Sequence, residues 1–154
     1  MRGRATLGTI DDTGLTCNDS VFVMKRFCDL HGVENKSITG SISKNNKKKT
    51  HQQLEKVSEG YDLRFLLGII NSKYALAYLE NYRRSAIPKM YYPDDFRNLP
   101  IPIVSLAEQK PLIALVKKRL AATPKTSVKL DEQIDALVYA LYGLTAEEIA
   151  VVEG

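Results

Sequence analysis

The apolar pattern of this chain changes character at Asp62. From there to Tyr78, apolar and aromatic residues recur at steps of three and four, which is the spacing of one helix face. This spacing predicts a helix that begins at Asp62 and ends near residues 81–84, because Pro88 forbids its simple continuation. Residues 85–104 contain four of the six prolines, so they are predicted to be extended and irregular.

The C-terminal third contains further helix signals. Ser105 and Glu108 have the spacing of a capping box, which predicts a helix from Ser105 to about residue 122. Another helix is predicted from about Lys129 to Tyr142, with Gly143 as its stop, and a second capping box at Thr145 predicts a short last helix. The apolar stripes of the two longer helices predict an antiparallel pair. Their members are Leu106, Ile113, Val116 and Leu120 on one helix, and Ile134, Leu137, Val138 and Leu141 on the other.

The N-terminal third has a different pattern. Asp11–Gly14 is a turn signal, and Ser20–Met24 is a short apolar, partly β-branched run that predicts a buried strand. Residues 36–53 are polar and rich in lysine, which predicts a mobile loop or hairpin tip. The predicted fold class is therefore α+β, with a mixed lobe over residues 1–104 and a helical segment over residues 105–154.

Composition limits the class of protein. The chain has 154 residues, of which 44% are hydrophobic, so it can form a packed core. No apolar run is long enough for a membrane span, and no signal peptide is expected after Met1. The two cysteines, Cys17 and Cys28, favour a reducing cytoplasm. Together with His31 and His51 they lack the two close pairs of a structural zinc site, so no metal site is predicted.

The net charge of +4 is concentrated near the N-terminus. Residues 1–56 contain 10 Lys and Arg against 6 Asp and Glu. Lysines can neutralise phosphates, and Asn and Gln can pair with an adenine edge. The residues of this kind predicted to contact DNA are Lys44, Asn45, Asn46, Lys47, Lys48, Lys49 and Gln52.

A second basic and aromatic stretch lies between residues 82 and 92. Its predicted DNA contacts are Arg83, Arg84, Lys89 and Tyr91, which lie outside the apolar helical period. The alternative is that these residues form an ordinary solvated helix end.

An enzymatic alternative uses Asp94, Glu108 and Lys110. Many Mg²⁺ nucleases combine an acidic residue with a Glu-x-Lys pair, in which the carboxylates hold the metal. Here Glu108 occupies the third position of a capping box and Pro111 follows Lys110, which favours a helix start over a nuclease strand. The chain also lacks a phosphate-binding P-loop and the Asn-Pro-Pro-aromatic loop of adenine methyltransferases. A further alternative is a helical protein-docking module.

Several short segments carry a family resemblance. Leu66–Lys73 (LLGIINSK), Asn98–Pro102 (NLPIP) and Leu106–Lys110 (LAEQK) resemble the TaqI-like C-terminal specificity domain. The run Cys17–Val23 after the turn at Asp11 looks like the family's early strand. Residues 137–145 look like its C-terminal helix ending. These domains are similar to the target-recognition domains of type I and type IIG restriction–modification enzymes.

The resemblance implies a sequence-specific, non-catalytic module that reads double-stranded DNA, with a mixed α/β target-recognition lobe followed by spacer and docking helices. Methyl transfer and cleavage would belong to a methyltransferase or endonuclease module, in cis or in trans. No cofactor is then expected on this chain, since S-adenosylmethionine and Mg²⁺ would bind the partner modules. A homodimer through the C-terminal helices is a further expectation. No membrane partner is expected.

Overall fold

The computed structural model describes residues 7–14, 21–33, 35–36, 40, 49–87 and 90–154, and these are helical or irregular. Within them there is no strand, so the predicted α+β class with a mixed lobe is wrong. A 3₁₀ turn spans Phe27–Leu30. The α-helices that the structure describes from end to end are α1 (His51–Glu59), α2 (Leu63–Ile70), α3 (Lys73–Tyr82), α4 (Pro93–Arg97), α5 (Leu106–Leu120), α6 (Pro124–Tyr142) and α7 (Ala146–Glu153).

The chain forms two compact units. Unit 1 comprises residues 1–15 and 63–154, and unit 2 comprises residues 16–62. Every buried residue in the described part of the chain belongs to unit 1. The functional boundary predicted at residue 104 stays a prediction.

The strand predicted at Ser20–Met24 is corrected by the structure. Ser20 lies outside the described residues, and Val21–Met24 are irregular, with 47–66% of each residue exposed. A β-branched run becomes a strand only where a neighbouring strand accepts its backbone hydrogen bonds. No described segment is such a neighbour. Residues 51–53, which were expected in a mobile loop, form the first turn of helix α1.

The single helix predicted from Asp62 is two helices. The hydroxyl of Ser72 donates to the carbonyl of Ile69 at 2.6 Å and accepts from the amide of Ala75 at 3.2 Å. Ser72 therefore closes α2 and caps the start of α3, and it is 1% exposed. Serine competes with the helix for backbone partners, so one buried hydroxyl can divide a continuous apolar period into two helices.

Asn71, beside this break, holds the N-terminal segment. Its Oδ1 accepts hydrogen bonds from the amides of Leu7 and Gly8 at 2.9 and 3.0 Å. Its Nδ2 donates to the carbonyl of Gly8 at 2.9 Å. The side-chain amide thus binds both the N–H and the C=O groups of an irregular segment, which fixes that segment against the rest of unit 1.

Helix α2 packs closely against α5 at Gly68. A Cβ atom on Gly68 would lie 2.9 Å from Cγ2 of Val116 and 3.0 Å from Cγ of Leu112. The two helices can therefore approach as they do only with glycine at this position.

The predicted α5 and α6 pair is confirmed in its caps. Ser105 and Glu108 form the capping box of α5, and Gly143 ends α6 with a left-handed φ of 64°. Helix α6 begins at Pro124, one turn earlier than predicted, because proline suits the first helical position. Arg119 of α5 donates to Asp131 of α6 at 2.7 Å across the antiparallel pair.

The buried face of α5 differs from the predicted stripe. Gln109, Leu112 and Val116 are buried, whereas Leu106 and Leu120 are 53% and 45% exposed. The absence of a side chain at Gly68 of α2 leaves room for Leu112 and Val116 to be buried. Both residues lie against Gly68 of α2, and helix α5 also packs against α6. Helix α2 of the same chain therefore covers part of the apolar surface of the α5–α6 pair.

Candidate nucleic-acid interface

Of the predicted lysine tract, the structure describes only Lys49, which lies just before helix α1. Lys44, Asn45, Asn46, Lys47 and Lys48 lie outside the described residues. Lys49 is exposed, and Gln52 is exposed on the first turn of α1. Thr50 and Gln53 cap this helix, since the Gln53 side chain accepts from the Thr50 amide at 2.8 Å. Gln52 therefore projects from a helix start and not from a loop tip.

An arginine fork and a serine hydrogen bond hold unit 2 together around α1. Arg26 donates to both oxygens of Asp29, at 2.7 and 2.9 Å, and to the carbonyl of Tyr61 at 3.0 Å. The amide of Cys28 donates to the hydroxyl of Ser58 at 2.9 Å. The hydrogen bonds from Arg26 lower the pKa of Asp29. These contacts link the 3₁₀ turn to the end of α1, so Arg26 has a structural role.

Glu55 brings the two histidines of the chain to one carboxylate. Nδ1 of His31 lies 3.1 Å from Oε1 of Glu55, and Nε2 of His51 lies 3.7 Å from the same oxygen. Among the described residues, no group of three or more His, Cys, Asp and Glu side chains could hold a metal ion. Cys17 lies outside those residues.

Arg83 makes several contacts within its own loop. Its Nε lies 3.1 Å from Oε2 of Glu80, and Nη1 donates to the carbonyl of Ile87 at 2.7 Å and to that of Ser85. Only 17% of its side chain is exposed. This guanidinium therefore shapes the chain that leaves α3, and sequence reasoning missed the Glu80 partner although it lies at helical spacing.

Arg84 is more open than Arg83. Its side chain is 56% exposed and lies 3.2 Å from Asp94 and 3.4 Å from the buried Asp95. Its guanidinium also stands 5.7 Å above the ring of Tyr92. The short helix α4, which the sequence did not predict, supplies both carboxylates. Arg84 thus combines an exposed cation with an aromatic face, and its two carboxylate contacts are long.

Tyr91 and Lys89 complete the predicted contacts. Lys89 lies outside the described residues. The hydroxyl of Tyr91 donates to Glu80, and burial together with this hydrogen bond raises the pKa of Tyr91 to about 12. Tyr91 and Arg83 therefore share Glu80 as a partner, which joins the end of α3 to the segment before α4.

The carboxylates of the nuclease alternative have partners within the chain. Asp94 pairs with Arg84 and with Arg97. Glu108 accepts from the amide and the hydroxyl of Ser105 at 2.8 and 2.7 Å, and these hydrogen bonds lower its pKa. Lys110 is exposed on α5. Both carboxylates thus stabilise local structure, and neither gives support to a metal site.

Comparisons with protein-family models, curated proteins and solved structures find no match for this chain. The likeness to TaqI-like specificity domains therefore remains a prediction from the sequence. No helix in the described residues has both the length and the apolar character of a membrane span.

Proposed function

We propose that this chain is a non-catalytic, sequence-specific DNA recognition module of a restriction–modification methyltransferase or endonuclease. The observation that carries the proposal is the position of the residues that resemble specificity domains. Within Leu66–Lys73, Gly68 permits the close approach of α5, Asn71 holds the N-terminal segment, and Ser72 divides α2 from α3. Three of the eight residues of this segment therefore meet specific structural demands, which supports the proposed relationship.

The segment Asn98–Pro102 has a comparable role. The hydroxyl of Tyr78 donates to the carbonyl of Asn98 at 2.9 Å, and that of Tyr142 donates to the carbonyl of Pro100. Leu99 between them is 5% exposed. Tyrosines from α3 and α6 thus hold the connection that leads into α5, so this second motif also supports the proposed relationship.

The proposed division of labour follows from charge and burial. The lysines of 44–49 bind phosphates, and Asn45, Asn46 and Gln52 approach base edges. Arg84 reaches a phosphate from beside Asp94 and Asp95, because 56% of its side chain is exposed. Arg83 and Tyr91 position that loop through Glu80. The helical segment of residues 105–154 docks against the catalytic module in the cytoplasm. That module binds S-adenosylmethionine and Mg²⁺.

Salt-dependent binding to a labelled duplex tests this proposal. Changing Lys47, Lys48 and Lys49 to Ala weakens binding to every sequence and lowers the slope of log affinity against log salt by up to about three. Lys110→Ala, at an exposed position on α5, is the control and leaves the slope unchanged. If the full chain binds neither random duplex nor any sequence selected from a random pool, the proposal is wrong.

A catalytic assay separates the nuclease alternative. The isolated chain is expected neither to methylate nor to cleave DNA when S-adenosylmethionine or Mg²⁺ is supplied. Glu108→Gln retains DNA binding, because Glu108 is used to cap α5. Magnesium-dependent nicking that disappears in Glu108→Gln supports the nuclease in place of the recognition module.

The docking alternative has one observation in its favour. Ile103 is 96% exposed and Leu106 is 53% exposed at the start of α5, where apolar side chains meet solvent. A module that binds only proteins is not expected to show an affinity for duplex DNA that falls steeply as the salt concentration rises. The duplex titration therefore distinguishes this alternative from DNA recognition.

A further inference from the structure

The charges of the C-terminal helices are separated along the chain. Residues 117–129 contain five Lys and Arg and no acidic residue, whereas residues 130–154 contain six Asp and Glu and no basic residue. The net charge of residues 105–154 is nearly zero, so the sum over this region conceals the separation. Surface charges that serve only solubility are usually interspersed, whereas a patch of one sign creates a field that attracts the opposite charge.

The fold gathers the five cations around one turn. Lys117, Lys118 and Arg119 lie in the last turns of α5, and Lys125 and Lys129 lie in the first turns of α6. Three residues connect the two helices. With a rise of 1.5 Å per residue, all five positions lie within about 8 Å of the turn along the helix axes.

Four of the six acidic residues of this region make contacts within the unit, and Glu132 and Glu147 are exposed. Asp135 is 2% exposed and accepts from the amide of Lys73 at 2.9 Å, and Asp131 pairs with Arg119. Glu153 binds Lys73 and the hydroxyl of Tyr139, and Glu148 caps α7. These four carboxylates therefore stabilise the fold. Lys73 and Arg119 offset part of their negative charge.

The lysines of the turn have no such role. Lys117, Lys118, Lys125 and Lys129 are all exposed, and within the described residues Arg119 alone of the five cations has a carboxylate partner. Four unpaired cations at one end of a helical pair are a surface for an external polyanion.

We propose that this α5–α6 turn is a second DNA-binding surface, which contacts the phosphate backbone of duplex DNA without reading its sequence. The inference rests on the proposed function and adds a second DNA contact to it. The nearly neutral net charge of residues 105–154 would by itself have suggested that this region binds a protein. Phosphate contacts of this kind position a protein on the duplex and strengthen binding to all sequences alike.

Duplex titration of the full chain tests the inference. Changing Lys117, Lys118, Lys125 and Lys129 to Ala should weaken binding to a random duplex at least tenfold at about 100 mM salt. It should also lower the salt slope by about three to four. Changing the same four residues to Arg keeps the charge and should preserve both values. Equal thermal midpoints establish that each variant is folded.

The outcomes separate the two proposals. If the wild-type chain binds no duplex, the proposed function fails and this inference fails with it. If the wild-type chain binds but the alanine variant keeps its affinity and slope, only the inference is overturned. It is also overturned if the arginine variant loses affinity as the alanine variant does. Polyglutamate that binds the wild-type chain but not the alanine variant, while that variant keeps its duplex affinity, would assign the turn to an acidic protein and reject DNA.

Discussion

Unit 1 and unit 2 are held together by different forces. Unit 1 contains a core in which Phe65, Ile69, Ala75, Leu79 and Val138 are fully buried. The described residues of unit 2 include none that is buried. Its organisation depends on polar contacts such as the Arg26–Asp29 fork and the hydrogen bond from Cys28 to Ser58.

This difference shows which unit can serve as a scaffold. Burial of apolar surface is the main favourable term in folding, whereas exposed ion pairs contribute about 1 kcal/mol or less. Unit 1 can therefore hold positions for a partner or for DNA. The described residues of unit 2 bury little apolar surface to offset their conformational entropy. The proposed binding of DNA to its lysines would therefore stabilise this unit.

The largest expected effect compares one substitution in both units. Phe65→Ala in unit 1 should lower the free energy of unfolding by about 3–5 kcal/mol, because it empties a fully buried site. Phe22→Ala in unit 2 should cost less than about 1 kcal/mol, since Phe22 is 47% exposed. Urea unfolding followed by circular dichroism measures both. Equal losses would mean that the units do not differ in the way proposed.

A smaller effect is expected from Gly68→Ala. The added Cβ meets Val116 at 2.9 Å, and such overpacking costs about 1–3 kcal/mol. The gain in helix propensity, about 1 kcal/mol, offsets part of this cost. Thermal unfolding should therefore show a net loss. The control is Gly8→Ala, whose Cβ would meet Leu67 at an ordinary 3.6 Å. A more stable Gly68→Ala variant would contradict the close approach of α2 and α5.

Asn71→Ala should have a still smaller effect, of about 1 kcal/mol, because the released backbone groups of Leu7 and Gly8 can bind water instead. Hydrogen exchange at the Leu7 and Gly8 amides should rise much more than global stability falls. Asn81→Ala is the matched control, since the Asn81 side chain donates to the carbonyl of Ala77 in its own helix. If the Leu7 and Gly8 amides exchange as slowly in Asn71→Ala as in the wild type, Asn71 does not hold the N-terminal segment.

The smallest expected effect is a titration at alkaline pH. The pKa of Tyr91 is raised to about 12, so its neutral hydroxyl is favoured in the folded state. This contribution to stability is complete below pH 10, the ordinary tyrosine value, and is lost as the pH rises through about 12. The absorbance difference at about 295 nm between wild type and Tyr91→Phe should report that late ionisation. A difference centred near pH 10 would show that Glu80 and burial do not hold the proton.

The sequence by itself determined the local parts of this fold. Ser105 with Glu108, and Thr145 with Glu148, predicted two helix starts that the structure confirms. Gly143 predicted the end of α6. These predictions succeed because a capping box and a left-handed glycine involve residues within one turn of each other, so the residues concerned are adjacent in the sequence.

Tertiary structure alone decided the rest, because those features depend on residues far apart in the chain. The apolar run at 21–24 lacks a neighbouring strand in the described residues. Helix α5 buries the face that carries Gln109, Leu112 and Val116, because the absence of a side chain at Gly68 leaves room for Leu112 and Val116. Arg84 looked like a free cation until the fold placed Asp94 and Asp95 beside it. The lysines around the α5–α6 turn were visible in the sequence, but only antiparallel packing makes them one surface. Charge and apolarity are properties of single residues, whereas a core and a surface are made by the contacts between them.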